Sequence, residues 1–123
     1  MHMAMKSFRV VYAEDDDMVR ASIAAIMVEH GLDVHECSNG GEATLLCSVF
    51  HPDAVVLDLS MPGMDGCEAA RRIREQHPGR TRLIALTGRG SAALKEAALA
   101  GFDEFLCKPV SAMTLIGALQ AAN

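Results

Sequence analysis

Acidic, hydroxyl and amino side chains follow four separate apolar runs of this sequence. In chain order they are Glu14-Asp15-Asp16-Asp17, Asp58, Thr87-Gly88 and Lys108-Pro109. If these segments meet at one edge of a sheet, the carboxylates of the acidic run and Asp58 repel one another, which raises their pKa values unless a cation binds between them. Hard oxygen ligands in an open, hydrated site suit Mg²⁺ better than zinc. A carboxylate beside a divalent cation, a lysine ammonium and a threonine hydroxyl is equipped for phosphoryl transfer, in which the carboxylate attacks phosphorus and becomes an acyl phosphate.

Asp58 is the candidate for the attacking carboxylate because of the residues that precede it. Residues 54–57 form a continuous aliphatic run, typical of a strand buried on both faces of a parallel sheet. A carboxylate that ends such a strand without a purpose is costly. Open α/β sheets carry their chemistry at the carboxyl ends of their strands, which is where Asp58 would lie.

Each member of this set also has an ordinary structural interpretation. The acidic run at 14–17 is equally explained as a charged helix N-terminus, which the helix dipole favours. Thr87 alone is an ordinary strand-end hydroxyl, and Lys108 alone is a surface cation. Their joint placement at four strand ends favours one shared site.

Strands and helices alternate five times along the chain. Strands are predicted at 8–13, 33–37, 54–58, 82–87 and 104–107. Helices are predicted at about 18–30, from 39 or 40 to 50, at 66–76, at 91–100, and from 111 almost to 123. Five strands each followed by a helix indicate right-handed βαβ units with helices on both faces of the sheet. The predicted fold class is α/β, a three-layer flavodoxin-like (βα)5 domain with a parallel sheet of order 2-1-3-4-5.

Local signals indicate where several helices begin and which side they bury. Asn39 and Glu42 have capping-box spacing, and Ser111 is a candidate N-cap for the last helix. The first helix should place four apolar side chains on one face, namely Val19, Ile23, Ile26 and Met27.

Length and composition exclude several function classes. A chain of 123 residues fits one domain, which we place at 8–123 after a disordered or expression-derived lead at 1–7. The net charge of −5 and the absence of a Lys/Arg run argue against nucleic-acid binding. No apolar stretch approaches the roughly 18 uncharged residues that a membrane span needs. Four cysteines without a C-x-x-C pair, Cys37, Cys47, Cys67 and Cys107, are expected to pack as small apolar residues in a reduced, cytoplasmic protein.

The chain closely resembles the receiver domain of two-component response regulators from Phe8 onward. The matching segments are Glu14-Asp15, Asp58, Met61-Pro62-Gly63-Met64-Asp65-Gly66, Thr87 and Lys108-Pro109. The resemblance implies a signalling switch whose Asp58 accepts a phosphoryl group from a histidine kinase or a histidine phosphotransfer protein. It implies no separate substrate, so the domain would catalyse only its own phosphorylation and dephosphorylation.

The resemblance also implies roles for individual residues. Asp15, Asp58 and the backbone carbonyl of Ser60 would ligate Mg²⁺, with Mn²⁺ as an alternative ion, and Glu14 would reach it through water. A cis peptide bond between Lys108 and Pro109 would aim the lysine.

Some positions depart from the usual receiver pattern. Glu14 replaces the more usual first Asp of the acidic pair. Thr87 and Phe105 would form the switch, although Phe105 replaces a common Tyr and is equally explained as a core aromatic.

The resemblance also implies residues that set the lifetime of the phosphoryl group. These are Ser60, two residues beyond Asp58, and Arg89, two residues beyond Thr87.

The last helix is a candidate partner surface because residues 110–123 contain no charged side chain. We hypothesise that the fourth helix, the fifth strand and the last helix pack on a second copy or an adjacent domain, with Leu94 and Leu115 as contacts. A merely alanine-rich surface explains the composition equally well. The lack of charge argues against the salt-bridged dimer of transcription-factor receivers.

Other functions fit less well. Gly88-Arg89-Gly90-Ser91-Ala92-Ala93 matches a dinucleotide-binding fingerprint, but it follows the fourth strand rather than the first. A phosphatase of the haloacid-dehalogenase type needs a second Asp where Ser60 stands. A phosphatase or phosphotransferase for small phosphate esters, with Asp58 as nucleophile, is the alternative function. A pseudo-receiver normally lacks parts of the site, and all of them are present here. The segment 101–109 resembles receivers of hybrid sensor histidine kinases, so excision from such a kinase stays open beside a stand-alone regulator.

Overall fold

The computed structural model describes residues 7–61, 66–77, 79, 81–88 and 100–121. The strands among these residues are β1 (Arg9–Ala13), β2 (Asp33–Cys37), β3 (Ala54–Asp58), β4 (Arg82–Thr87) and β5 (Glu104–Cys107). The helices are α1 (Asp17–Glu29), α2 (Gly40–Phe50), α3 (Gly66–Gln76) and α4 (Ala112–Gln120). Residues 91–99 of the helix predicted at 91–100, among them Leu94, lie outside the described residues, as does Arg89.

All five strands are parallel and form one sheet of order β2-β1-β3-β4-β5, as predicted. The order is physically reasonable because the central strands are the most apolar. Every residue of β3 is buried, and so are four of the five residues of β1 and five of the six of β4. The edge strands β2 and β5 carry more polar residues and are only half-buried. The carboxyl ends of β1, β3, β4 and β5 therefore meet at one edge of the sheet.

Two apolar clusters, one on each face of the sheet, hold the helices in place. The cluster under α2 and α3 includes Cys47, Cys67 and Ile73, and the cluster under α1 and α4 includes Met27 and Leu115. Three of the four cysteines are buried packing residues, as predicted. Cys107 is exposed instead, because it ends the edge strand β5. None of the described helices is long and apolar enough to cross a membrane.

The N-terminal caps of two helices follow the predicted chemistry. Asn39 Oδ1 accepts a hydrogen bond from the Glu42 backbone N–H at 2.8 Å, and Ser111 Oγ accepts one from the Thr114 N–H at 3.1 Å. The return bond of the Asn39 cap differs from a standard capping box, because Glu42 Oε1 accepts from the backbone N–H of Ser38 at 3.0 Å.

The predicted apolar face of α1 is only partly correct. Ile23 and Met27 are buried, but Val19 and Ile26 are 39% and 37% exposed. The contact stripe passes through Ala24 rather than Val19, since a small residue lets α1 approach the sheet closely.

Candidate functional site

Three polar side chains that end neighbouring strands are almost completely buried. Glu14, Asp58 and Thr87 are each 1% exposed. They follow or end β1, β3 and β4, and the chain after β5 adds Lys108, whose side chain is 32% exposed. The predicted grouping of these four side chains at one edge of the sheet is therefore present.

Both carboxylate oxygens of Asp58 have a hydrogen-bond donor. Oδ2 accepts from Lys108 Nζ at 2.9 Å, and Oδ1 accepts from the backbone N–H of Ser60 at 3.0 Å. The start of α3 approaches the same turn, and a Cβ at Gly66 would lie 2.6 Å from the Asp58 carbonyl oxygen. Only glycine fits there, so the start of α3 packs closely against the backbone of Asp58.

Lys108 joins two of the buried carboxylates. Its Nζ lies 3.3 Å from Glu14 Oε1 as well as 2.9 Å from Asp58 Oδ2. Its backbone N–H extends the β4–β5 ladder by donating to the Thr87 carbonyl oxygen at 2.8 Å, and the Lys108–Pro109 peptide bond is cis. Burial alone would lower the pKa of Lys108, but the hydrogen bond and charge of Asp58, together with Glu14, raise it above its ordinary value. Lys108 is therefore a firmly charged ammonium between two carboxylates.

Glu14 is turned inward at the end of β1. Its Oε2 accepts from the Asp16 backbone N–H at 3.2 Å, whereas its buried Oε1 accepts no hydrogen bond of good geometry within the described part of the chain and faces the Lys108 ammonium at 3.3 Å. Burial raises the pKa of Glu14, and the charge of Asp58 adds to the increase, against the opposing effects of the Asp16 N–H and Lys108. The site thus holds a buried carboxylate oxygen whose cationic neighbour among the described residues is the Lys108 ammonium at 3.3 Å.

The acidic run after β1 divides into two pairs with different roles. Asp16 is the N-cap of α1, where its Oδ1 accepts from the backbone N–H groups of Met18 and Val19. Asp17 lies in the first turn and pairs with Arg20. The helix-terminus interpretation is therefore correct for Asp16 and Asp17, while Glu14 and Asp15 lie at the candidate site.

Glu14, Asp15 and Asp58 can supply the oxygen ligands of a divalent cation. One carboxylate oxygen from each lies within 4.8 Å of those of the other two. The all-oxygen donor set fits a hard cation such as Mg²⁺, and within the described residues the buried carboxylates of Glu14 and Asp58 share one ammonium, that of Lys108. Ser60 is exposed beside them, and its N–H already orients Asp58.

Phe105 is half-buried on β5, in edge contact with Phe102 at a centroid distance of 6.5 Å. It packs against the cluster under α2 and α3 and is therefore both in contact with the core and partly exposed.

The prediction that Leu115 contacts a partner is wrong, because its side chain is fully buried between α4 and the sheet. Met113, on the same helix, is 57% exposed.

Sequence reasoning did not identify Arg20 and Tyr12 as residues near the site. Arg20 donates to the backbone carbonyl of Glu14 at 2.7 Å; the signal was a lone basic residue one turn after an acidic run. Tyr12 is fully buried two residues before Glu14, and its hydroxyl has no hydrogen-bond partner among the residues that the structure describes. Burial, with the charges of Glu14 and Asp58, raises the pKa of Tyr12.

A Glu14→Gln variant is expected to be more stable than the wild type at neutral pH without Mg²⁺. Because the pKa of folded Glu14 is raised, the folded state retains a proton that the unfolded chain loses, so the free energy of unfolding falls as pH rises from 4.5 through the folded pKa. Glutamine removes that penalty. We expect a melting temperature higher by about 2–5 °C at pH 7 and nearly unchanged near pH 4.

Exposed Glu75 provides the control, since Glu75→Gln should leave the melting temperature unchanged at both pH values. A lower melting temperature for Glu14→Gln at pH 7 would show that the ion pair with Lys108 outweighs the burial of the charge.

Comparison with known proteins identifies relatives of this chain. The profile of the family described as the response regulator receiver domain matches residues 10–120. The response regulator MprA of Mycolicibacterium vanbaalenii is 36% identical over 114 residues, which are 92% of this chain and 49% of that protein. This chain therefore spans about half the length of the curated relatives that it matches.

Solved structures agree with this result. A receiver domain of the Francisella response regulator 1452 superposes with a TM-score of 0.82 at 30% identity, covering 92% of this chain and 93% of that one. A CheY-like receiver domain protein from Methanospirillum hungatei has a TM-score of 0.89 at 23% identity, covering 95% and 94% of the two chains. The second similarity establishes the shared fold.

Proposed function

Since this chain belongs to the response-regulator receiver family and is a phosphorylation-controlled signalling domain, we propose that Asp58 accepts the phosphoryl group. The observation that carries the proposal is the buried Asp58 carboxylate with Lys108 Nζ on one oxygen at 2.9 Å and the Glu14 and Asp15 carboxylates beside it. The family match favours this function over the small-ester phosphatase.

In the proposed reaction Asp58 attacks the phosphorus of a phosphohistidine. An O–P bond forms as the P–N bond breaks, and the electron pair stays on the imidazole nitrogen, which takes up a proton. Lys108, whose ammonium donates to Asp58 Oδ2 at 2.9 Å, would release that oxygen and neutralise a phosphoryl oxygen instead.

Glu14, Asp15, Asp58 and the Ser60 carbonyl would hold Mg²⁺, or Mn²⁺ in its place. The bound cation supplies further neutralisation of the phosphoryl oxygens. The close approach of these three carboxylates, two of them buried with one ammonium between them, supports this assignment.

The readout we propose begins at Thr87. Its hydroxyl would hydrogen-bond a phosphoryl oxygen, and the half-buried Phe105 would move inward and reshape the surface around β5 and α4. Ser60, exposed beside Asp58, and Arg89 would set the lifetime of the acyl phosphate.

The proposed donor of the phosphoryl group is a histidine kinase or a histidine phosphotransfer protein. The proposed compartment is the cytoplasm, which keeps free cysteines such as those of this chain reduced. The domain would turn over no separate substrate. Both a stand-alone regulator and a receiver within a hybrid histidine kinase fit this proposal.

The proposed partner surface lies on α4 and β5. Met113 is 57% exposed, and exposed Cys107 ends β5 nearby in the chain. A second copy or an adjacent domain could cover this surface, and light scattering before and after phosphorylation distinguishes them because only a second copy doubles the mass.

Labelling with ³²P-acetyl phosphate tests the proposed function. We expect incorporation to approach one phosphoryl group per chain, to require Mg²⁺ and to be lost on chelation. Continued release of phosphate through many turnovers, without accumulation of label on the protein, would support the phosphatase instead.

A further inference from the structure

Arg20 connects the candidate metal site to the start of α1 and to the edge strand β2. Its Nη1 donates to the Glu14 backbone carbonyl at 2.7 Å, its Nη2 to Asp17 Oδ1 at 2.7 Å, and its Nε to Glu36 Oε1 at 3.3 Å. The side chain is only 17% exposed although it carries a full charge. A guanidinium held at three points can keep three elements in a fixed arrangement.

The carbonyl that Arg20 holds belongs to the first residue beyond β1. Glu14 still receives support from the sheet on its other side, since its N–H donates to the Cys37 carbonyl at 3.1 Å. Its own carbonyl is the link to Asp15. Because the peptide unit is planar, a bond that holds this carbonyl also sets the orientation of the Glu14–Asp15 peptide and the position from which the Asp15 carboxylate projects.

The charge of Arg20 is already compensated by its neighbours. Asp17 and Glu36 both pair with the guanidinium, and the side chains of these acids are 84% and 45% exposed. Exposed ion pairs of this kind contribute little stability by themselves. Of the three hydrogen bonds that Arg20 makes, the one to the Glu14 carbonyl is therefore the one that affects the candidate metal site.

We propose that Arg20 is a positioning residue that sets the affinity of this chain for divalent cations by holding the Glu14–Asp15 peptide. This inference rests on the proposed function in that it uses the same cation site. Groups that orient metal ligands typically change affinity 10–100-fold when they are removed.

Charge and position predict opposite effects for Arg20→Ala. Removal of a cation beside an acidic site, acting by charge alone, would tighten Mg²⁺ binding. Loss of positioning would weaken it, because Asp15 would no longer be held where its carboxylate meets those of Glu14 and Asp58.

The test is a calorimetric titration of the whole chain with MgCl₂, which does not depend on phosphorylation. We expect Arg20→Ala to raise the Kd about 10-fold, and Arg20→Lys, which keeps the charge and part of the donor capacity, to raise it about 3-fold. Arg9→Ala is the matched control, because Arg9 lies at the other end of β1, donates to the Phe50 carbonyl at 2.9 Å and lies 3.8 Å from Asp33. Its Kd should stay within about 2-fold of the wild type.

A Kd for Arg20→Ala that equals or falls below the wild-type value overturns the positioning role. If Arg20→Ala does not fold, an unchanged Kd for Arg20→Lys overturns it. Wild-type protein that binds Mg²⁺ but takes no label from acetyl phosphate overturns the proposed function alone, since the Kd comparison still decides the role of Arg20. Wild-type protein that binds no Mg²⁺ overturns both.

Discussion

Asp58→Asn is expected to abolish phosphorylation, with incorporation from acetyl phosphate reduced at least about 1,000-fold, to the background of the assay. Asparagine has nearly the same shape, and its Oδ1 can still accept from the Ser60 N–H, which the wild-type carboxylate does at 3.0 Å. Its amide oxygen is a poor nucleophile, however, and it cannot form a stable acyl phosphate. The measurement is ³²P incorporation at saturating Mg²⁺.

Asp53→Asn is a matched control for this experiment. Asp53 lies just before β3, at the opposite edge of the sheet, and its Oδ2 accepts from the Arg9 backbone N–H at 2.8 Å. The substitution removes a carboxylate from the same segment of chain without touching the site, so labelling should continue. Label that persists on Asp58→Asn would mean that another side chain is the acceptor.

Much of the fold was predictable because its signals are local. The fully buried strand β3 follows from an unbroken aliphatic run, and the caps at Asn39 and Ser111 follow from short polar side chains placed before apolar segments. The alternation of strands and helices predicts a parallel sheet, and the flavodoxin-like order then places strands one, three, four and five side by side, as observed.

The rotation of each helix about its own axis, which decides the face that it buries, was less predictable. The described part of the last helix, α4, is apolar or weakly polar on every side, so no charged stripe marks the face exposed to water. Leu115 was for that reason assigned to the surface although it is fully buried, while Met113 two residues earlier is exposed. In α1, the small residue Ala24 rather than Val19 faces the sheet.

The contacts of Arg20 could not be read from local patterns because they depend on strand pairing. Glu36 is 16 residues from Arg20 in the chain, and the two side chains meet because β2 pairs with β1, with Tyr12 opposite Glu36. The same pairing gives Glu14 its backbone partner, Cys37. Residue types therefore predicted which side chains meet at the carboxyl edge of the sheet, whereas the sheet register determines which groups hold them.

The exposed fraction of a side chain also separates the two acids that follow β1. Glu14 is 1% exposed and Asp15 is exposed, although they are adjacent. Glu14 is turned inward, with its Oε1 3.3 Å from Lys108 Nζ, whereas the Asp15 side chain is open to water while its carboxylate still lies within 4.8 Å of those of Glu14 and Asp58. This division supports a site in which Asp15 meets an arriving cation first.

Lys108→Met is expected to slow phosphorylation about 100-fold at saturating Mg²⁺, because it removes the ammonium that would neutralise a phosphoryl oxygen as charge develops. It should also destabilise the protein without Mg²⁺, since Glu14 and Asp58 would remain buried with no cation between them. Removal of one partner of a buried pair costs about 3–5 kcal/mol, and the partial exposure of Lys108 reduces our expectation to about 2 kcal/mol. Thermal melts and label incorporation measure the two effects.

The response of this variant to Mg²⁺ tests whether the lysine and the metal act on the same carboxylates. If they do, Mg²⁺ should raise the melting temperature of Lys108→Met by more than it raises that of the wild type, because in the variant the ion is the only cation between Glu14 and Asp58. Arg82→Met serves as the control: Arg82 pairs with Glu104 and donates to the Ala118 carbonyl, at the opposite end of β4. That variant should lose stability, keep its labelling rate and respond to Mg²⁺ like the wild type. An equal Mg²⁺ response in Lys108→Met and Arg82→Met would contradict a shared set of carboxylates and place the cation away from Lys108.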